Sequence, residues 1–124
     1  MSGETDLKTL LRTMRPALRA GAYEFVSTAD PMPDEVASAI AVVREDEGVT
    51  LVRPTVESSA DAMAWITLTV HSSLQAVGLT AAVATALAAH GIACNVIAGF
   101  HHDHLFVPFA RRTDALEALL ALGA

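Results

Sequence analysis

The sequence predicts an α+β fold in which an antiparallel sheet carries its helices on one face. Two observations point there. In the second half, apolar residues alternate with period two, switch to helical spacing and switch back, in the order β-α-β-β-α. That is the split β-α-β arrangement without its last strand. The second observation is a gap in charge: residues 62–102, 41 in a row, contain no Asp, Glu, Lys or Arg. A membrane span needs about 20 consecutive apolar residues. Here His71-Ser72-Ser73, Gln75, Gly78, His90-Gly91 and Asn95 break the run, so the elements are expected to be buried on more than one side.

In chain order, Leu7, Leu10, Leu11 and Met14 fit i, i+3, i+4, i+7 and predict a short amphipathic helix before Pro16. Ala22–Thr28 reads as a strand, and Ala29–Asp34, with Pro31 and Pro33, as a loop. Ile40–Val43 and Val49–Val52 flank Arg44-Glu45-Asp46-Glu47-Gly48, a hairpin with its charged tip in water. Pro54–Asp61 is a polar connection. It divides a first half, 1–60, from a second, 61–124. In Ala64–Val70, Trp65, Thr67 and Thr69 face one side of a strand and Ile66, Leu68 and Val70 the other. Leu79–His90 is an alanine-rich helix with Leu79, Val83 and Leu87 on one stripe and Gly91 as its left-handed end. Ile92–Gly99 and His104–Phe109 are strands joined by a turn at His101-His102-Asp103. Thr113 caps a closing helix to Leu122, with Leu116, Leu119 and Leu120 inward. The second half lacks a strand and the first is strand-rich, so the halves are expected to share strands.

Composition narrows the function. With 8 Lys+Arg against 14 Asp+Glu the formal charge is −6, which argues against a nucleic-acid partner. A single cysteine excludes an internal disulfide and suits a reducing compartment. Met1–Asp6 is polar and acidic, unlike a signal peptide, so a cytoplasmic location away from membranes is expected.

Trp65-Ile66-Thr67-Leu68, then Gly78-Leu79-Thr80, then His90-Gly91-Ile92 with Asn95-Val96, resemble an ACT domain, a small regulatory module. The stretches Trp65–Leu74 and His102–Pro108 resemble a bacterial group of short, uncharacterised ACT-like proteins, similar in layout to the tandem-ACT CASTOR amino-acid sensors. The resemblance implies a ferredoxin-like, ACT-type sheet, with residues 61–124 as one ACT domain and 1–60 as an ACT-like half. It also implies a small effector, an amino acid, bound between modules. A stand-alone chain is expected, without the enzyme to which such modules are often attached.

Elementary chemistry places that ligand at the start of the 79–90 helix, whose first N–H groups are unpaired and suit a carboxylate. His71, Ser72 and Ser73 precede it, Gly78 allows close backbone approach, Leu79 and Thr80 open the helix, and Asn95 beside Val96 can offer an amide. Each has a plainer use: Gly78 can shape a turn, the serines can cap, and Asn95 can bond to backbone. A partner for an ammonium group has to come from Glu45, Glu47 or Asp103. On this reading Gly78→Val blocks the ligand and leaves the fold intact. The small residues of the 79–90 helix also suggest a homodimer.

His101, His102 and His104 around Asp103 invite a metal reading. Neighbours in sequence cannot all converge, however, so no metal or other cofactor is assigned. Cys94 reads as a core residue, and no nucleophile–base–acid set is present, so no enzyme activity is expected. A ligand-free interaction module and a histidine-based metal protein are the alternatives to an effector-binding module.

Overall fold

The computed structural model describes residues 6–70 and 78–124. Contacts divide the chain into two compact units: Met1–Ala20 with Ala64–Ala124, and Gly21–Met63. Each contains antiparallel strands and helix.

The Gly21–Met63 unit holds strand β2 (Ala22–Thr28), helix α2 (Pro33–Ser38), and strands β3 (Ala41–Glu45) and β4 (Gly48–Thr55). The expected hairpin is present, with Glu45 opposite Gly48 and Asp46-Glu47 at its tip. β4 also pairs with β2 from Ala22↔Thr55 to Thr28↔Val49. Glu24 and Arg53 face each other in this ladder and form an ion pair of 2.9 Å. The expected loop at Ala29–Asp34 is cut short by α2. Its first residue is Pro33, where a missing N–H costs nothing, and Glu35 turns back to accept from the Met32 N–H at 2.9 Å.

The larger unit contains helix α1 (Leu7–Thr13), the short strand β1 (Pro16–Leu18), strand β5, helix α3 (Leu79–Ala89), strands β6 (Asn95–Ala98) and β7 (Asp103–Pro108), and helix α4 (Arg112–Leu122). β5 spans Met63–Leu68. Its sheet runs β1-β5-β7-β6. β1, which the sequence reading does not assign, thus takes the place of the strand missing from the second half. It lies antiparallel to β5 from Pro16↔Leu68 to Leu18↔Ile66.

Helices α1, α3 and α4 cover one face of this sheet. Leu10 of α1 with Met14 just past its end, Val83 and Leu87 of α3, and Ala115 and Leu119 of α4 form one core with Ile66, Leu68, Leu105 and Val107. The stripe Leu79, Val83, Leu87 is the buried face of α3. Gly91 follows with φ +67°, the left-handed end that stops the helix.

Other details differ from expectation. The first strand after α3 begins at Asn95 rather than Ile92, because Ile92 turns into the core and its N–H donates to the Leu87 carbonyl at 3.0 Å. The hairpin loop is Phe100-His101, closed by Gly99 N–H donating to His102 O, which leaves Asp103 inside β7. A 3-10 turn (Phe109–Arg111) runs straight into α4, so Thr113 lies within the helix. The buried stripe is Ala115, Ala118 and Leu119 in place of Leu116, Leu119 and Leu120: Leu116 is half-buried and Leu120 is 54% exposed.

Leu10 is fully buried in this core, so Leu10→Ala should cost about 2–5 kcal/mol in a urea titration. A loss below about 1 kcal/mol would mean that α1 is not part of the core.

Candidate functional site

Gly78 precedes α3 with φ +97°, and its carbonyl accepts the first helical hydrogen bond, from Ala82 N–H at 2.8 Å. No side chain among the described residues caps the helix, so the first-turn N–H groups carry the helix's positive end uncovered by a cap. Leu79 turns into the core and Thr80 is exposed. His71, Ser72 and Ser73 lie outside the described residues.

Both flanks of the 71–77 segment are tied to the start of the chain. On one side, Thr69 N–H and Val70 N–H donate to the Met14 carbonyl, at 2.8 and 3.3 Å, and the Thr69 hydroxyl donates to Arg15 O at 2.9 Å. On the other, a Cβ added to Gly78 would stand 3.2 Å from Leu7 Cδ2. Gly78 therefore serves the backbone directly. Gly78→Val would strain it whatever a ligand requires, which corrects the expectation of an intact fold.

Asn95 and Val96 open β6. Val96 packs on the same core as Leu79. Asn95 is exposed and pairs across from Phe106, so alternation puts its side chain on the sheet face away from the helices. Gly78, Leu79, Thr80 and Val96 thus belong to the helix-covered side, and Asn95 to the other. Glu45 and Glu47 are exposed at the β3–β4 tip. Asp103 is buried, and burial raises its carboxyl above the ordinary value, partly opposed by His104 and His102.

The face away from the helices carries a polar network that the sequence reading misses. The Arg19 guanidinium lies 4.4 Å from the Trp65 ring centre, and Arg19 Nε donates to Thr67 Oγ1 at 3.0 Å. Trp65 Nε1 donates to His104 Nδ1 at 3.1 Å, and Thr67 Oγ1 lies 3.3 Å from the same nitrogen. Phe106 stacks on Trp65, with ring centres 6.0 Å apart. With its Nδ1 accepting from Trp65, the imidazole is neutral and carries its proton on Nε2. Its pKa is lowered, first by burial, then by the charges of Arg19 and His102. The alternation of Trp65 and Thr67 marks this face in the sequence; its link to Arg19, 46 residues earlier, is visible only in three dimensions.

Among the described residues, no group of three or more His, Cys, Asp or Glu side chains is placed to hold a metal ion. Cys94 is half-buried against the core and burial raises its thiol pKa, which suits a packing role over a thiolate nucleophile. No described helix is long and apolar enough to cross a membrane.

Two family models, both described as ACT domain, match residues 2–68 and 63–121. The ranges overlap on 63–68, the whole of β5. No curated protein matches the chain. A protein of unknown function from Vibrio cholerae, described as a possible transport protein, is 50% identical over 91% of this chain and 92% of its own, with TM-score 0.78. A protein from Agrobacterium tumefaciens is 19% identical over 87% of each chain, with TM-score 0.64. Aspartokinase III of Escherichia coli, in complex with aspartate and ADP, is 16% identical over 90% of this chain and 34% of its own, with TM-score 0.65. The last two likenesses concern the fold alone.

A lowered His104 pKa means that the fold favours the neutral ring. Its contribution to stability is complete above the unfolded value of about 6.5 and is lost as pH falls through the folded pKa. Trp65 is the single tryptophan, so its emission should change as pH falls from about 8 to about 5. His104→Gln, whose amide oxygen accepts without titrating, should remove the transition. The same transition in the variant would assign it to another group.

Proposed function

The chain belongs to the ACT-domain family, and on that premise we propose that it is a regulatory module binding a small effector, an amino acid, at the segment leading into α3. ACT domains are typically regulatory and ligand-binding. The observation that carries the reading is the start of α3 behind a left-handed Gly78, which no described side chain caps. Backbone N–H groups and the helix dipole there suit a carboxylate. His71, Ser72, Ser73, Gly78, Leu79 and Thr80 are the proposed contacts, with Val96 on the same side of the sheet; Asn95 faces the other side and is left out. The bonds of Thr69 and Val70 to Met14 O, and Leu7 lying next to Gly78, support it by fixing the two described flanks near each other.

The proposal includes a cytoplasmic location, no catalysis and no resident metal. It also includes a homodimer through the solvent side of α3, where Ala81, Ala84 and Ala88 are exposed. The net charge of −6 argues against nucleic acid as partner.

A thermal-shift screen against the common amino acids, with and without EDTA, tests the reading. A ligand at 100 times its Kd adds about 2.7 kcal/mol, a rise of several degrees in a domain of this size. One selective shift supports the effector reading; no shift with any amino acid sinks it in favour of an interaction module. A drop with EDTA alone points to a histidine metal site.

Thr80→Asp separates ligand from fold. An acid in the first helical turn suits the dipole and should leave the unliganded Tm unchanged or higher. It also repels a ligand carboxylate and should shrink the amino-acid shift; an undiminished shift would move the site away from α3. Gly78→Ala should instead lose about 1–2 kcal/mol in the absence of ligand, since alanine is disfavoured at positive φ.

A further inference from the structure

A second feature of the larger unit is independent of the entrance to α3. The ends of α1 and α4 meet at a groove of about 170 Å³. Its floor is apolar, with Met14 and Leu119 fully buried, and Leu11 and Pro16 at the sides. Leu120, 54% exposed, stands at its rim. At Gly123 an added Cβ would come within 2.6 Å of Leu11 O, so only glycine lets α4 close on α1 there.

Arg12 and Arg15 line the same groove, both exposed. Neither guanidinium forms an ion pair or a side-chain hydrogen bond among the described residues. With Lys8 they place three of the chain's eight cationic residues within one eight-residue stretch of a protein of net charge −6. Arg15 is also the one non-glycine described residue with positive φ, at +41°. Strain of this kind costs on the order of 1–3 kcal/mol and often marks a binding site.

We propose that this groove binds a small amphiphilic carboxylate, with the oxyanion held by Arg12 and Arg15 and a short hydrocarbon chain on Leu11, Pro16 and Leu120. Guanidinium groups match a carboxylate in a two-point geometry, and an apolar floor takes the tail without unpaired polar groups. Arg15, at φ +41°, also accepts the Thr69 hydroxyl at its carbonyl, which fixes the backbone beside the groove.

The test is an NMR titration of the full chain with hexanoate, with hexanol and acetate as the arms lacking charge and tail. Hexanoate should shift the amides of 11–15 and 119–124 saturably, and bind at least tenfold more tightly than either arm. Arg15→Gly, which relieves the positive φ and removes the charge, should raise the Tm while weakening hexanoate at least tenfold. Arg12→Gln should weaken it without moving the Tm. Equal binding of hexanol and hexanoate, unchanged affinity in Arg15→Gly, or shifts scattered away from α1 and α4 would each overturn the proposal. An amino-acid effector at α3 would leave the groove amides in place, so the two sites can fail separately.

Discussion

The backbone edge of β5 is the constraint on which the larger unit depends. A strand in the middle of a sheet needs partners on both sides. The elements that follow β5 supply β7 on one side only. The other edge is filled from the start of the chain, where Pro16, Ala17 and Leu18 pair with Leu68, Thr67 and Ile66. That pairing fixes where the preceding residues go. Met14 and Arg15 carbonyls take the Thr69 and Val70 donors just past the strand. α1 is thereby laid on the core with Leu10 and Met14 buried. A three-residue strand thus delivers a helix, and the helix brackets the segment proposed to hold a ligand.

The sheet separates two kinds of chemistry. Its helix-covered face is aliphatic and closed, built from Ile66, Leu68, Leu105 and Val107. Its other face replaces aliphatic packing with a bonded series, Arg19 to Thr67, with Thr67 and Trp65 both at His104. Thr67 is almost fully buried and has its hydrogen bonds, as a buried hydroxyl requires. The arrangement is also unfavourable to a charged imidazole, which ties this face to pH through His104.

The charge gap has two causes. In β5 it reflects burial on both faces: Thr67 is almost as inaccessible as Ile66. In α3 it does not. Ala81, Ala84, Thr85 and Ala88 are exposed, and a helix in water ordinarily spends such positions on Lys and Glu. That difference is why self-association through α3 forms part of the proposal.

The sequence by itself determined the fold class, the order β-α-β-β-α, the hairpin around Asp46-Glu47, the strand β2 and the core stripe of α3. Each is written in local periodicity or in a residue with one backbone preference, such as Gly91. It also placed Gly78, Leu79 and Thr80 at the start of α3, because a glycine followed by a good helix run is a local signal. β1 was not legible: three residues after a helix carry no period, and their pairing depends on an edge 50 residues away. α2 was hidden by two prolines that read as loop until Pro33 proved to be its first residue. The facing of α4 was misjudged because 116/119/120 and 115/118/119 are adjacent stripes of one helix, and docking on the core decides which is buried. The opposed facing of Asn95 and Val96, the His104 network and the Arg12–Arg15 groove were decided by tertiary structure alone. They join residues whose spacing in the chain carries no information about distance, and only sheet register and helix docking bring them together.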